Sequence, residues 1–121
     1  MKQTTQHAIE AVQHCSSMKE VRVHIDALDD ILVPLLVQRV GYMTQAARIK
    51  QAAAQVRDEG RIQDIVDRVR AHTAKEGGQP DVLEAIYRSM MEACIAYEHR
   101  EFARLRAGGV VQVAASAEVT P

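Results

Sequence analysis

Apolar residues recur at Val21, Ile25, Leu28, Leu32, Leu35, Tyr42, Ala46 and Ile49. The spacing alternates between four and three, with one gap of seven across position 39. That alternation is the heptad seam of a helix packed lengthwise against other helices. It predicts one long helix from Met18 to about Gln55. Pro34 falls inside it, where a proline removes one backbone hydrogen bond and crowds the preceding turn. The heptad phase passes through Pro34 unchanged, so a kink is expected rather than a break. The residue missing from the seam is Arg39, a cation where the pattern asks for an apolar side chain.

Two further helices follow. Asp58 is placed to cap the second, with Glu59 and Arg61 in its first turn and Ile62, Ile65, Val66 and Val69 at helical spacing to about Thr73. Gly77-Gly78 stops it and Pro80 follows. Asp81 is expected to cap the third helix. Its apolar stripe runs Leu83, Ile86, Tyr87, Met90, Met91, Cys94, Ile95, Phe102 and Leu105, and Gly108-Gly109 is expected to end it. Residues 1–17 carry only Ala8, Ile9 and Val12 as an apolar set, so they read as an extension with a short helix ending near Ser16-Ser17. Residues 107–121 have no period and read as a flexible tail. The fold class is therefore all-α: a three-helix domain over residues 18–106 with a long first helix.

That helix changes the expected assembly. Thirty-odd helical residues span ~50 Å, whereas a compact domain of this length has a radius of gyration near ~14 Å. A partner chain must cover the projecting seam, most simply as an intertwined homodimer. Composition agrees with a helical bundle, with 47% apolar residues but only 3% aromatic. A net charge of −1 excludes nucleic acid and anionic membrane as partners on charge grounds. No apolar run approaches membrane-spanning length, and the first residues lack a signal-peptide core. The cytoplasm is the expected compartment. Cys15 and Cys94 are too few and too far apart in sequence for a disulfide framework or a zinc site. No metal or organic cofactor is expected.

Chemistry concentrates on the cations of the long helix. Arg39 and Lys50 are eleven residues apart, which at about 100° per residue returns to nearly the same face. Their Cα atoms are ~16 Å apart, so two long side chains can converge on a small ligand between them. Arg22 faces elsewhere and can join such a pocket only from a second chain packed antiparallel. A buried guanidinium requires an anion or several acceptors, so Arg39 needs either a protein carboxylate or a ligand. Arg22 and Lys50 read equally as solvated surface cations, and Asp58 with Arg61 as a surface ion pair. Glu98 shares the stripe of the third helix with Cys94 and Phe102. Burial there disfavours its charged form unless a cation such as Arg39 or Lys50 answers it. His7 and His14 share a face but lack a third ligand, while His24, His72 and His99 share none, so all five read as surface residues. Neither cysteine has a neighbouring activating group.

The runs Arg22 to Asp29 (RVHIDALD), Leu35 to Arg39 (LLVQR), Tyr42 to Lys50 (YMTQAARIK), Arg57-Asp58 with Arg61, and Ile86 to Glu92 (IYRSMME) resemble the all-helical chorismate mutases. That grouping includes the closely related isochorismate pyruvate lyases. The likeness covers about Met18 to Leu105, and its most specific element is the spacing of Arg22, Arg39 and Lys50. It implies a dimer intertwined through the first helices, with Arg22 donated by the partner to bind one substrate carboxylate. Arg39 then binds a carboxylate, Lys50 reaches a carboxylate and the ether oxygen, Arg61 lines the site and Asp58 holds the ring hydroxyl. Glu98 stands where a glutamine commonly donates to the ether oxygen. An ionised Glu98 would repel that oxygen, so the resemblance implies a protonated, donating Glu98. Ile62 stands where the mutases commonly carry a glutamate, which is closer to the lyases. Cys94, one turn before Glu98, is grouped with Ile62 among the substrate-binding positions. The implied activity is the rearrangement of chorismate to prephenate in aromatic amino acid biosynthesis. Salicylate formation from isochorismate, or a non-catalytic helical dimer module, are the alternatives.

Overall fold

The structure, a computed structural model, describes residues 11–116, with side chains to Ala107. It is all-helical: α1 Met18–Ile49, α2 Glu59–Lys75 and α3 Pro80–Ser116, with a 3-10 turn at Ala53–Gln55. No strand occurs among the described residues. The chain divides into two compact units, residues 1–36 and 37–121.

In the first unit, residues 11–17 are not helical. The short N-terminal helix expected there is absent over that stretch, and its other positions (His7, Ala8 and Ile9) lie outside the described residues. Ser16 instead donates its N–H to Glu20, and Ser17 Oγ accepts from the Glu20 N–H. This reciprocal pair satisfies the start of α1. The helix continues through Pro34. None of residues 11–36 is buried. Ile25, Leu28, Leu32 and Leu35, the expected seam, are each about half exposed.

The second unit holds the core. Ile65 and Val66 of α2 meet Met91 of α3, flanked by Ile62, Val69 and Tyr87. Asp58 caps α2 as expected, its Oδ1 accepting the Arg61 N–H at 3.0 Å. That contact is to the backbone, so the expected Asp58–Arg61 surface ion pair is replaced by a cap. α2 runs two residues past Thr73 to Lys75. It closes where Gly77 takes φ +78° and Gly78 and Gly77 donate back to Thr73 and Ala74. A β-carbon disfavours that left-handed geometry, which is why the stop falls on glycine.

Three boundaries differ from expectation. The long helix ends at Ile49, not near Gln55. Its last carbonyls, Ala47 and Lys50, are taken by the Arg106 guanidinium of α3, and Gln55 Oε1 accepts the N–H groups of Gln51 and Ala52. These contacts override the helix propensity of the alanine run. α3 begins at Pro80, where a missing N–H costs nothing. Asp81 is therefore in its first turn, paired with Arg70 of α2 rather than capping. Finally, α3 does not stop at Gly108-Gly109 but runs to Ser116. Glycine costs a helix only about 1 kcal/mol per residue and stops it only when the chain turns left-handed. The remaining tail residues, 117–121, lie outside the described residues.

Candidate active site

Three elements of the second unit wall a cavity of about 350 Å³. The last turns of α1 contribute Arg39, Met43, Ala46 and Lys50, spaced four, three and four so that all share one face. The start of α2 and the turn before it contribute Val56, Asp58, Arg61, Ile62 and Ile65. One stripe of α3 contributes Met91, Cys94, Ile95 and Glu98. Seven of the eight residues singled out from sequence thus face one space: Arg39, Lys50, Asp58, Arg61, Ile62, Cys94 and Glu98. The eighth, Arg22, is exposed on α1 within the first unit.

Arg39 has no carboxylate within 4 Å among the described residues. Its guanidinium lies 5.7 Å from the centroid of the Tyr87 ring and donates to Cys94 Sγ at 3.7 Å. A ring face and a thiol sulfur orient the cation without neutralising it. Of the two partners that sequence allows for Arg39, the protein carboxylate is therefore missing. The contact also gives Cys94 a cationic neighbour that its sequence surroundings do not reveal.

Lys50 answers Glu98. Its Nζ lies 2.8 Å from Glu98 Oε2, and the carboxylate side chain is only 4% exposed. Lys50 Nζ also donates to the Val56 carbonyl at 3.4 Å. The Lys50–Glu98 contact is an ion pair by distance but is not aligned as a hydrogen bond, so Glu98 Oε2 remains without a hydrogen-bond donor. An under-satisfied buried oxygen at a cavity wall leaves room for a further polar contact. The Arg61 side chain likewise has no carboxylate within 4 Å among the described residues. The cavity thus presents Arg39 and Arg61 uncompensated, while Lys50 and Glu98 offset one another.

The frame around these residues is rigid. Arg57 bonds Glu92 through both terminal nitrogens, at 3.1 and 2.6 Å, and Glu59 through Nε at 2.7 Å. This fork holds the turn before α2 onto α3 and keeps the Glu92 carboxyl below the usual carboxylate range. On the other side Thr44 donates to Glu101 at 2.9 Å and lies 3.2 Å from the Tyr97 hydroxyl. Hydrogen bonds from Arg104, then Thr44, push the Glu101 carboxyl down to about 2. Arg106, stacked 3.9 Å from the Phe102 ring centroid, fixes the carbonyl of Lys50 itself. Sequence reasoning found none of these supports. Arg57 was visible only as part of a motif, and Arg106 lies 56 residues from its acceptor with no local signal. Met43 was legible, since it falls four residues after Arg39 on the same face. The remaining histidines of the described chain are exposed, as expected of surface residues.

The fold and site together define an all-helical protein with a small cavity rimmed by cations from two helices. The chain belongs to the chorismate mutase type II family, whose profile matches residues 21–99 and so takes in every cavity residue. No curated protein matches the chain. No helix of the described residues is long and apolar enough to cross a membrane.

Proposed function

We propose that the protein is a chorismate mutase, rearranging chorismate to prephenate in aromatic amino acid biosynthesis. The observation that carries this reading is Arg39, half-buried beside Cys94 and Tyr87, with no carboxylate within 4 Å among the described residues. Chorismate is a dianion with an enol-pyruvyl ether. Its pericyclic rearrangement needs no covalent intermediate. It needs the side chain folded over the ring and the growing charge on the ether oxygen stabilised. Arg39 and Arg61 are free to clamp a carboxylate, which selects the reactive conformer and removes much of the entropic barrier. Lys50, already fixed at its backbone by Arg106, supplies a preorganised donor to the ether oxygen. In this reading Asp58 accepts from the ring hydroxyl. In the same reading Glu98 faces the ether oxygen beside Lys50, and Glu98→Gln, an amide that can donate there, retains turnover.

The active form is a homodimer in this account. The exposed seam of Ile25, Leu28, Leu32 and Leu35 supports it, since covering each half-exposed side chain is worth ~1 kcal/mol, or ~8 kcal/mol over two chains. Arg22 then reaches the cavity of the partner subunit as a further carboxylate ligand. Ile62 favours a second reading, isochorismate pyruvate lyase. An apolar wall beside Asp58 cannot hydrogen-bond the ring hydroxyl, the group whose position differs between chorismate and isochorismate. Incubating the purified protein with each substrate separately decides between them. Prephenate as the faster product supports the mutase, salicylate with pyruvate the lyase, and turnover of neither contradicts both.

A further inference from the structure

A second hollow of about 510 Å³ adjoins the candidate active site and shares Arg39, Arg61 and Ile65 with it. Its outer wall is one face of α2. Arg61, Arg68, His72 and Lys75 lie seven, four and three residues apart, within roughly 60° of one another around the helix. The stripe runs ~21 Å away from the cavity. No aspartate or glutamate lines the hollow. Arg61, Arg68 and Lys75 have no carboxylate within 4 Å among the described residues, and only His72 has one, Glu76 at 3.5 Å. Elsewhere on the same helix cations are neutralised: Arg70, two residues from Arg68, binds both Asp81 and Glu84. Arg61, Arg68 and Lys75 therefore carry charge that no carboxylate of the described residues pairs with, in a chain whose net charge is −1.

We infer that this stripe is an electrostatic approach path that gathers the dianionic substrate and passes it to Arg39 and Arg61. The inference rests on the proposed activity and adds Arg68 and Lys75 as residues that act before the substrate is seated. Fixed charges of one sign beside a low-dielectric wall raise the local concentration of an oppositely charged ligand. A dianion feels each of them twice over. The effect is long-range, so it must weaken as salt shortens the Debye length from ~30 Å at 0.01 M to ~3 Å at 1 M. Direct clamping by Arg39 inside the cavity is screened far less.

The test is the ionic-strength profile of steady-state kinetics in potassium chloride, for the parent and for Arg68→Glu/Lys75→Glu. At 0.01 M salt the double reversal raises KM about ten-fold, at 0.15 M about two-fold, and at 1 M the two proteins converge. The loss falls on KM and not on kcat. Arg68→Gln/Lys75→Gln gives about a three- to four-fold rise at 0.01 M and serves if the reversal does not fold. A variant with the parent's salt profile, or a loss that is the same at every ionic strength, overturns the approach path. A parent that turns over neither chorismate nor isochorismate overturns the functional reading itself, which is a distinct outcome.

Discussion

The two units of the chain treat the same kind of residue in opposite ways. In residues 37–107, Val66 is 1% exposed, Met91 5% and Ile65 9%, and each meets another buried side chain. In residues 11–36, Ile25, Leu28, Leu32 and Leu35 are just as apolar and just as regularly spaced, yet 46–56% of each is exposed. One unit has a core and the other has only half of one. The periodicity of an apolar stripe says that something covers it, not that the same chain does. The proposed dimer would assign the seam in the first unit to assembly, and the proposed activity would assign the cavity in the second to chemistry. Arg22 is the residue that stands on the first and is proposed to serve the second.

The comparison can be broken most severely at the seam. Leu28→Glu/Leu32→Glu places two charges on a stripe that needs an apolar cover. Sedimentation should show loss of the dimer, with loss of activity and cooperative folding, because an obligate dimer has no stable monomer to fall back on. A folded, active monomer would show that the first unit needs no partner. Next in size is Arg39→Ala, which should lower kcat/KM about a thousand-fold while the dimer persists, since it removes a clamp and leaves the seam intact. Lys50→Ala should cost turnover about a hundred-fold. It should also destabilise the fold by ~2 kcal/mol, because Glu98 is left buried without its cation. That figure is smaller than for a fully buried pair because Lys50 is itself 29% exposed. Lys50→Ala/Glu98→Gln should recover stability but not turnover, which separates the structural part of the pair from the chemical part.

The smallest effect concerns the frame. The Glu101 carboxyl is held at about 2, below its ordinary value of 4.5, by hydrogen bonds from Arg104 and Thr44. A depressed carboxyl contributes stability above its unfolded value and loses it as pH falls toward the folded one. The stability gap between the parent and Glu101→Gln should thus be full at pH 7 and shrink from about pH 4.5 to about pH 2. Denaturant midpoints at pH 7 and pH 3 read it directly. A gap that stays constant with pH would mean that the Thr44–Glu101–Arg104 contacts do not hold α1 to α3.

Much of this was legible in the sequence where the physics is local. Helical period gave three helices, the Asp58 cap followed from its position, and the Gly77 stop followed from glycine's access to positive φ. The face shared by Arg39 and Lys50 followed from eleven residues of helix, and both line one cavity. What escaped was decided by distant partners. The end of α1 at Ile49 depends on Arg106, half the chain away. The free state of Arg39 could not be known until Glu98 was seen paired with Lys50 instead. The cationic stripe of α2 is written plainly as seven, four and three, but its meaning depends on which acids are missing from the opposite wall. Asp81 and the Gly108-Gly109 pair misled because capping and stopping residues are permissive: they act only when the chain geometry around them agrees.

The central claim is that the seam exists to bring Arg22 of one chain to Arg39 of another. Mixing Arg22→Ala and Arg39→Ala proteins tests it. Each variant alone should be nearly inactive. If subunits exchange freely, half of the dimers are mixed, and each mixed dimer holds one site with both arginines intact. Turnover of chorismate, or of isochorismate if that proves the substrate, should then recover to about a quarter of the parent value. If Arg22 serves its own chain, no mixture of the two restores activity; if it serves none, Arg22→Ala is active alone; either result contradicts the account of the first unit.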